Sequence, residues 1–249
     1  MNKSSQILSW ARLYNYKNYF RVKELNKVIK EKNKRELGLN LFRMMSPLSK
    51  KASRHVIETF MRFFKKNLTL TENSSILDYG SGTGWIIFNL KKYKICNRFI
   101  SKDVSRIFIT NQKKIINNCK FEVVKSNKWK INEKTSSVDW VISNAVFHCF
   151  KNKQFTKKII FEMIRVSKQG VLITNILDYE KKKEFIKYKL INEKLKFLEF
   201  KKKYKFTPHL FHSKKFFNFL KKNKYKFSIL KMPNNKQYSK FHFALKILK

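Results

Sequence analysis

The chain has 249 residues, 43% of them hydrophobic, and its 58 lysines and arginines against 16 aspartates and glutamates give a formal charge of +42. That length buries a full core, in one domain or one domain with a small appendage. Cys96, Cys119 and Cys149 lie far apart without paired or metal-ligand spacing, which reads as reduced thiols in a cytoplasmic protein and excludes a disulfide framework or a structural zinc site. The longest apolar runs fall short of the about 20 residues of a membrane-spanning helix, so no membrane is expected.

The charge alone does not name a partner. Lysine-rich surfaces attract phosphate backbones, but here the excess is mostly lysine, spread over nearly every helix and loop, with abundant asparagine, isoleucine and phenylalanine. An AT-rich genome produces the same bias. The densest runs, Lys181–Lys183 and Lys201–Lys203 with Tyr204 and Phe206, lack the arginines that match phosphate geometry.

In chain order, Met1–Phe20 carries Lys3, Arg12 and Lys17 and no acid; it reads as an amphipathic helix packed on the domain and leaves an organelle-targeting segment open. Val22, Leu25 and Ile29 recur at helical spacing, and beyond a break at Ser46-Pro47 a second apolar face carries Val56, Phe60 and Phe63 or Phe64. From Ser75 the pattern becomes strand and helix by turns. Strands are expected at Ser75–Tyr79, Arg98–Lys102 ending at Asp103, Phe121–Val124, Val138–Ser143 and Gly170–Ile176. Helices fall at Trp85–Lys92, after the cap Ser105 with Ile107, Phe108, Ile115 and Ile116 inward, and at Phe155–Arg165.

The tail adds a long amphipathic helix over Lys181–Lys201 with Phe185, Tyr188, Ile191, Leu195 and Leu198 on one face. Ser213 is expected to cap a helix carrying Phe216, Phe217 and Leu220. Tyr225–Lys231 and Phe241–Leu248 then form a hairpin-like pair, the second strand alternating Phe241, Phe243, Leu245 and Ile247 inward.

The chemistry concentrates at Ile76-Leu77-Asp78-Tyr79-Gly80-Ser81-Gly82-Thr83-Gly84, an apolar strand running into three spaced glycines. It lacks the Gly-Lys-Ser/Thr ending of a phosphate-binding P-loop and the G-x-G-x-x-G spacing of a dinucleotide fingerprint. With only four aspartates in so basic a chain, their placement at strand ends carries information. From Asp78–Gly84, Val138–His148 and Val166–Ile173 the chain resembles a class I S-adenosylmethionine-dependent methyltransferase.

The resemblance implies an α/β, Rossmann-like seven-stranded and mostly parallel sheet with a final antiparallel strand, helices on both faces and N-terminal helices. It implies a methyltransferase domain over 71–249, preceded by a helical segment over 1–70 that acts as a substrate lid or simply packs. S-adenosyl-L-methionine is the implied cofactor, with Asp78, Gly80, Ser81, Gly82 and Gly84 around its methionine part and Asp103, followed by Val104, at the ribose. Where the family often has an acid after the third strand for the adenine amine, this chain has Lys125-Ser126-Asn127, and Ser126 or Asn127 is expected to accept instead. Ser143 and Asn144 end the fourth strand beside cofactor or substrate.

For catalysis, His148 is the expected base. Asp178, immediately beyond the fifth strand with Asn175, either orients substrate or caps the helix after it. His209 and His212 after Pro208 read as loop residues rather than metal ligands, Cys149 as core, and no metal is expected. The methyl acceptor is undetermined: a small molecule, a saccharide or RNA. The alternative reading is a non-catalytic RNA-binding or scaffold protein on the same fold; the oligomeric state is left unassigned.

Overall fold

The computed structural model describes residues 22–44, 52–125, 128–193, 198, 209–233 and 239–249. Met1–Phe20, the Ser46-Pro47 break, the Lys201–Lys203 run, Pro208, and Ser126 and Asn127 lie outside them. In chain order come helices α1 (Val22–Val28), α2 (Lys34–Arg43) and α3 (Arg54–Asn67), then β1 (Ser75–Tyr79), α4 (Trp85–Lys92), β2 (Arg98–Asp103), α5 (Arg106–Ile115), β3 (Cys119–Val123), β4 (Val138–Asn144), α6 (Lys153–Val166) and β5 (Ser167–Leu177). The chain continues through α7 (Lys182–Glu193), α8 (Asn218–Lys222), β6 (Lys226–Lys231) and β7 (His242–Leu248).

The strands form one seven-stranded sheet in the order β3-β2-β1-β4-β5-β7-β6. β1 to β5 pair in parallel, and β7 runs antiparallel between β5 and β6. The expected fold is therefore the one observed. The reversal between β1 and β4 puts the carboxyl ends of β1, β2 and β4 around one crevice, where ligands bind in open α/β sheets.

Strand alternation sorts the side chains into two cores. Ile76, Trp140, Ile142, Leu172 and Ala244 face a cluster with Leu41, Phe42, Phe60, Phe64 and Trp85 from α2, α3 and α4. Leu77, Val141, Ile173, Leu245 and Ile247 face the other, filled by Ile159, Ile160 and Met163 of α6 and by Leu220 of α8. The N-terminal helices thus belong to the main core. The Phe42 and Phe60 rings meet Trp85 edge-on at 4.7 and 5.5 Å, and Phe64, not Phe63, is fully buried.

Several expected boundaries shift. β3 begins at Cys119 and β7 at His242; Phe241 precedes β7 and joins a small third cluster with Leu177, Phe185 and Phe211. The expected stripe of α7 is only half used. Phe185 is buried, whereas Ile191, near the end of α7, is 66% exposed, because this end lies beyond the few side chains of that third cluster; Leu198, after α7, is 71% exposed, and Leu195 lies outside the described residues. Ser213 precedes a tight turn, Lys214–Phe217, rather than a full helix, and its side chain makes no capping hydrogen bond. No described helix is long and apolar enough to cross a membrane.

Candidate active site

The turn after β1 is built by glycines in the left-handed region, with φ of 77° at Gly80, 56° at Gly82 and 77° at Gly84, a conformation other residues adopt at a cost. Gly84 also lacks room: a Cβ there would come within 2.8 Å of Gln112 Cγ and Ile116 Cδ1. One at Gly80 would strike the Val146 side chain beyond β4, so this loop lies directly against the turn.

Backbone hydrogen bonds draw the turn onto β2. Gly80 N–H and Ser81 N–H donate to Lys102 O at 2.7 and 3.1 Å. Gly82 N–H donates to Asp103 Oδ2 and Ser105 N–H to Asp103 Oδ1, both at 2.8 Å. On the N-terminal side Thr83 Oγ1 donates to Leu41 O at 2.9 Å, tying the turn to α2.

Behind the turn stands Gln112 of α5, fully buried. Its Nε2 donates to Ser81 Oγ (2.9 Å) and Gly82 O (2.7 Å), and its Oε1 accepts from Ser101 Oγ (2.6 Å). Ser101 Oγ lies 2.7 Å from Ser81 Oγ as well. Ser81 therefore points into the protein and braces the turn from behind. Gln112 and Ser101 escaped the sequence reading. The available signal was a glutamine on the apolar face, four residues after Phe108 and four before Ile116.

Two carboxylates occupy the crevice. Asp78 is completely buried and neither oxygen has a hydrogen-bond partner. Burial, and then the Asp103 charge, push its pKa up to about 8. Burial raises Asp103 to about 6, against the lowering effect of the Ser105, Gly82 and Val104 N–H groups.

At the next strand ends, Ser143 Oγ donates to Tyr79 O at 2.9 Å, locking β4 to β1. Asn144 is buried, and its Oδ1 accepts from Thr174 Oγ1 and Asn175 Nδ2, both at 2.8 Å.

The expected catalytic pair lies just beyond the ends of β4 and β5. His148 lies in a short turn, Phe147–Cys149, with its ring 5.1 Å from that of His209. Burial first, then the nearby His209 and His242, hold its pKa well below the usual histidine range, so its ring is neutral at pH 7. His212 is fully buried, its Nε2 is 3.2 Å from Thr156 Oγ1, and burial lowers its pKa to about 3. Cys149 is only half-buried.

Of the two roles open to Asp178, the structure displays the capping one. Its Oδ1 accepts from Glu180 N–H at 3.0 Å and its Oδ2 lies 3.3 Å from Lys214 Nζ. Both oxygens are engaged in holding the turn after β5. Among the described residues no three His, Cys, Asp or Glu side chains are grouped to hold a metal ion.

The model of a methyltransferase domain family matches residues 70–231. Among solved structures, the plantazolicin methyltransferase BpumL is similar over 99% of this chain and 96% of its own, at 13% identity and TM-score 0.60. A chain of the complex between the Haloferax volcanii Trm112 methyltransferase activator and a methyltransferase covers 76% of this chain and 88% of its own, at 14% identity and TM-score 0.56. The magnesium protoporphyrin IX methyltransferase ChlM of Synechocystis PCC 6803 covers 99% and 95%, at 12% identity and TM-score 0.52. No curated protein matches the chain. The sheet order, the glycine turn between two buried carboxylates and a family match over most of the chain lead to one assignment: this protein belongs to the class I S-adenosylmethionine-dependent methyltransferases.

Proposed function

We propose that S-adenosylmethionine is held by the glycine turn and the carboxylates of Asp78 and Asp103, and that the acceptor meets it at the ends of β4 and β5. The observation that carries this reading is Asp78, fully buried with both oxygens unpartnered. An uncompensated buried carboxylate is costly, and a cation in the crevice offsets that cost. Gly80 and Gly84 line the turn where a Cβ finds no room. The residues present therefore fit the cofactor.

In this reading Asp78 accepts from the cofactor's ammonium group. Each Asp103 oxygen, after one backbone N–H, keeps acceptor capacity for a ribose hydroxyl. Ser126 or Asn127 serves the adenine amine. When bound, the cofactor supplies an already activated methyl, so the protein's own work is orientation and exclusion of water. His148, kept neutral by burial, is a weak base, suited to an acceptor that needs little help in losing a proton. The N-terminal helices, tied to the turn through Thr83 and Leu41, wall the crevice on that side.

Calorimetric titration with S-adenosylmethionine tests this. The wild type should bind in the range of about 1 to 100 μM, and Asp78→Asn should weaken binding by about 100-fold or more, roughly 3 kcal/mol. A cation favours the ionised carboxylate, so affinity should rise with pH and level off near the Asp78 pKa of about 8. Binding at pH 7 should release a proton, seen by repeating the titration in buffers of different ionisation enthalpy. Undiminished affinity in Asp78→Asn would overturn the assignment.

A further inference from the structure

We infer that Asn175 is an acceptor-recognition residue, and that the methyl acceptor presents a neutral N–H or O–H donor to its side-chain carbonyl. The inference rests on the methyltransferase reading and names the chemistry at the acceptor end of the same site.

The sheet's alternation places the residue. Asp78 shares the face of Ile76, and Asn144 that of Ile142, the face covered by α2, α3 and α4. On β5, Leu172 belongs to that face and Ile173 to the opposite one. Regular alternation would return Ile176 to the first face, yet Ile176 packs in the second cluster, because the pairing with β7 shifts register between Ile173 and Ile176. The irregularity brings Thr174 and Asn175 to one side, where both donate to Asn144 Oδ1 at 2.8 Å. Asn175 N–H also points to Met232 Sδ, 3.4 Å away, a side chain of the first cluster. Asn144, Thr174 and Asn175 therefore form a hydrogen-bonded polar group at the carboxyl ends of β4 and β5, on the sheet face that Asp78 shares.

Within this group Asn175 is the incomplete member. It is 9% exposed, and its Oδ1 is buried without a hydrogen-bond partner. Its Nδ2 donates to Asn144 Oδ1, which also takes the Thr174 hydroxyl, and in this arrangement the Asn175 carbonyl oxygen is the atom left over. The backbone is strained at the same place: Asn175 has φ 57° and the neighbouring Ala145, whose N–H donates to Thr174 O, has φ 55°. Strained backbone beside a bulge and an unsatisfied buried carbonyl are features that folding alone disfavours and that binding sites retain. A carbonyl oxygen takes only donors, so the complementary acceptor carries a hydroxyl or amine hydrogen at this point.

The test uses the full-length protein loaded with S-adenosylhomocysteine, labelled with nitrogen-15, and two pairs of probes: aniline with N,N-dimethylaniline, and benzyl alcohol with benzyl methyl ether. Within each pair methyl groups replace the donor hydrogens. The donor members should bind at least about fivefold more tightly and shift the side-chain amide signal of Asn175. In Asn175→Gly, which keeps the left-handed backbone without the amide, that preference should vanish while S-adenosylhomocysteine affinity stays close to wild type. Equal binding within the pairs in the wild type, silence from all four probes, or a preference that survives Asn175→Gly would overturn the inference. Failure of S-adenosylhomocysteine to saturate the wild type would instead overturn the methyltransferase reading on which it stands.

Discussion

The crevice between β1 and β2 and the histidine group beyond β4 handle buried ionisable groups in opposite ways. In the crevice, burial displaces Asp78 and Asp103 upward. Beyond β4, burial displaces His148 and His212 downward. Desolvation disfavours the charged form in both regions, negative charge in the crevice and positive charge beyond β4. In a chain of net charge +42, local desolvation thus raises the two crevice carboxyls despite the surrounding lysines, whose charge the solvent screens.

The two regions should separate in the pH dependence of cofactor-free stability, which carries the largest expected effect. A carboxyl with a raised folded pKa binds protons more tightly when folded, so stability falls as pH rises from about 4 towards 8. A histidine with a lowered folded pKa works in the other sense: its contribution is complete above about 6.5 and is lost as pH falls towards 3. Urea unfolding across pH should show that Asp78→Asn stabilises the protein above pH 8 and flattens the alkaline side, whereas His212→Gln flattens only the acid side. Parallel changes from both substitutions would break the comparison.

A smaller effect tests whether the crevice depends on its bracing. Gln112→Leu removes the donors to Ser81 and Gly82 O and should weaken S-adenosylmethionine binding by about tenfold, near 1.4 kcal/mol, with the fold retained by circular dichroism. The smallest effect belongs to Asp178→Ala. Loss of its contacts to Glu180 N–H and Lys214 should cost about 1 kcal/mol of stability and leave cofactor binding unchanged in the same calorimetric titration.

The strand–glycine turn and the acid ending β2 were legible in the sequence because their signals are local: an apolar run, glycines at fixed spacing, a carboxylate at a strand end. Asp178 was legible only as a choice between orienting and capping, since the deciding partner, Lys214, is distant in sequence. The pairing of Gln112 with Ser81 and of Asn144 with Asn175 depends on strand register and helix placement, which composition does not encode. The same holds for the assembly of His148 with His209 and His242. The overhang of α7 was hidden for the converse reason: its apolar stripe is real, but the surface it meets is too short.

The hydrogen bond from Thr83 to Leu41, and the Phe42 and Phe60 rings against Trp85, bear on where this protein can be cut. The family model's match starts at residue 70, yet the hydrophobic cluster on that face of the sheet draws on residues from Leu25 to Ala244. A chain beginning at residue 70 would leave Trp85 and its neighbours facing water and the glycine turn without one of its anchors. The family model's match therefore begins inside a hydrophobic cluster that residues on both sides of position 70 build together.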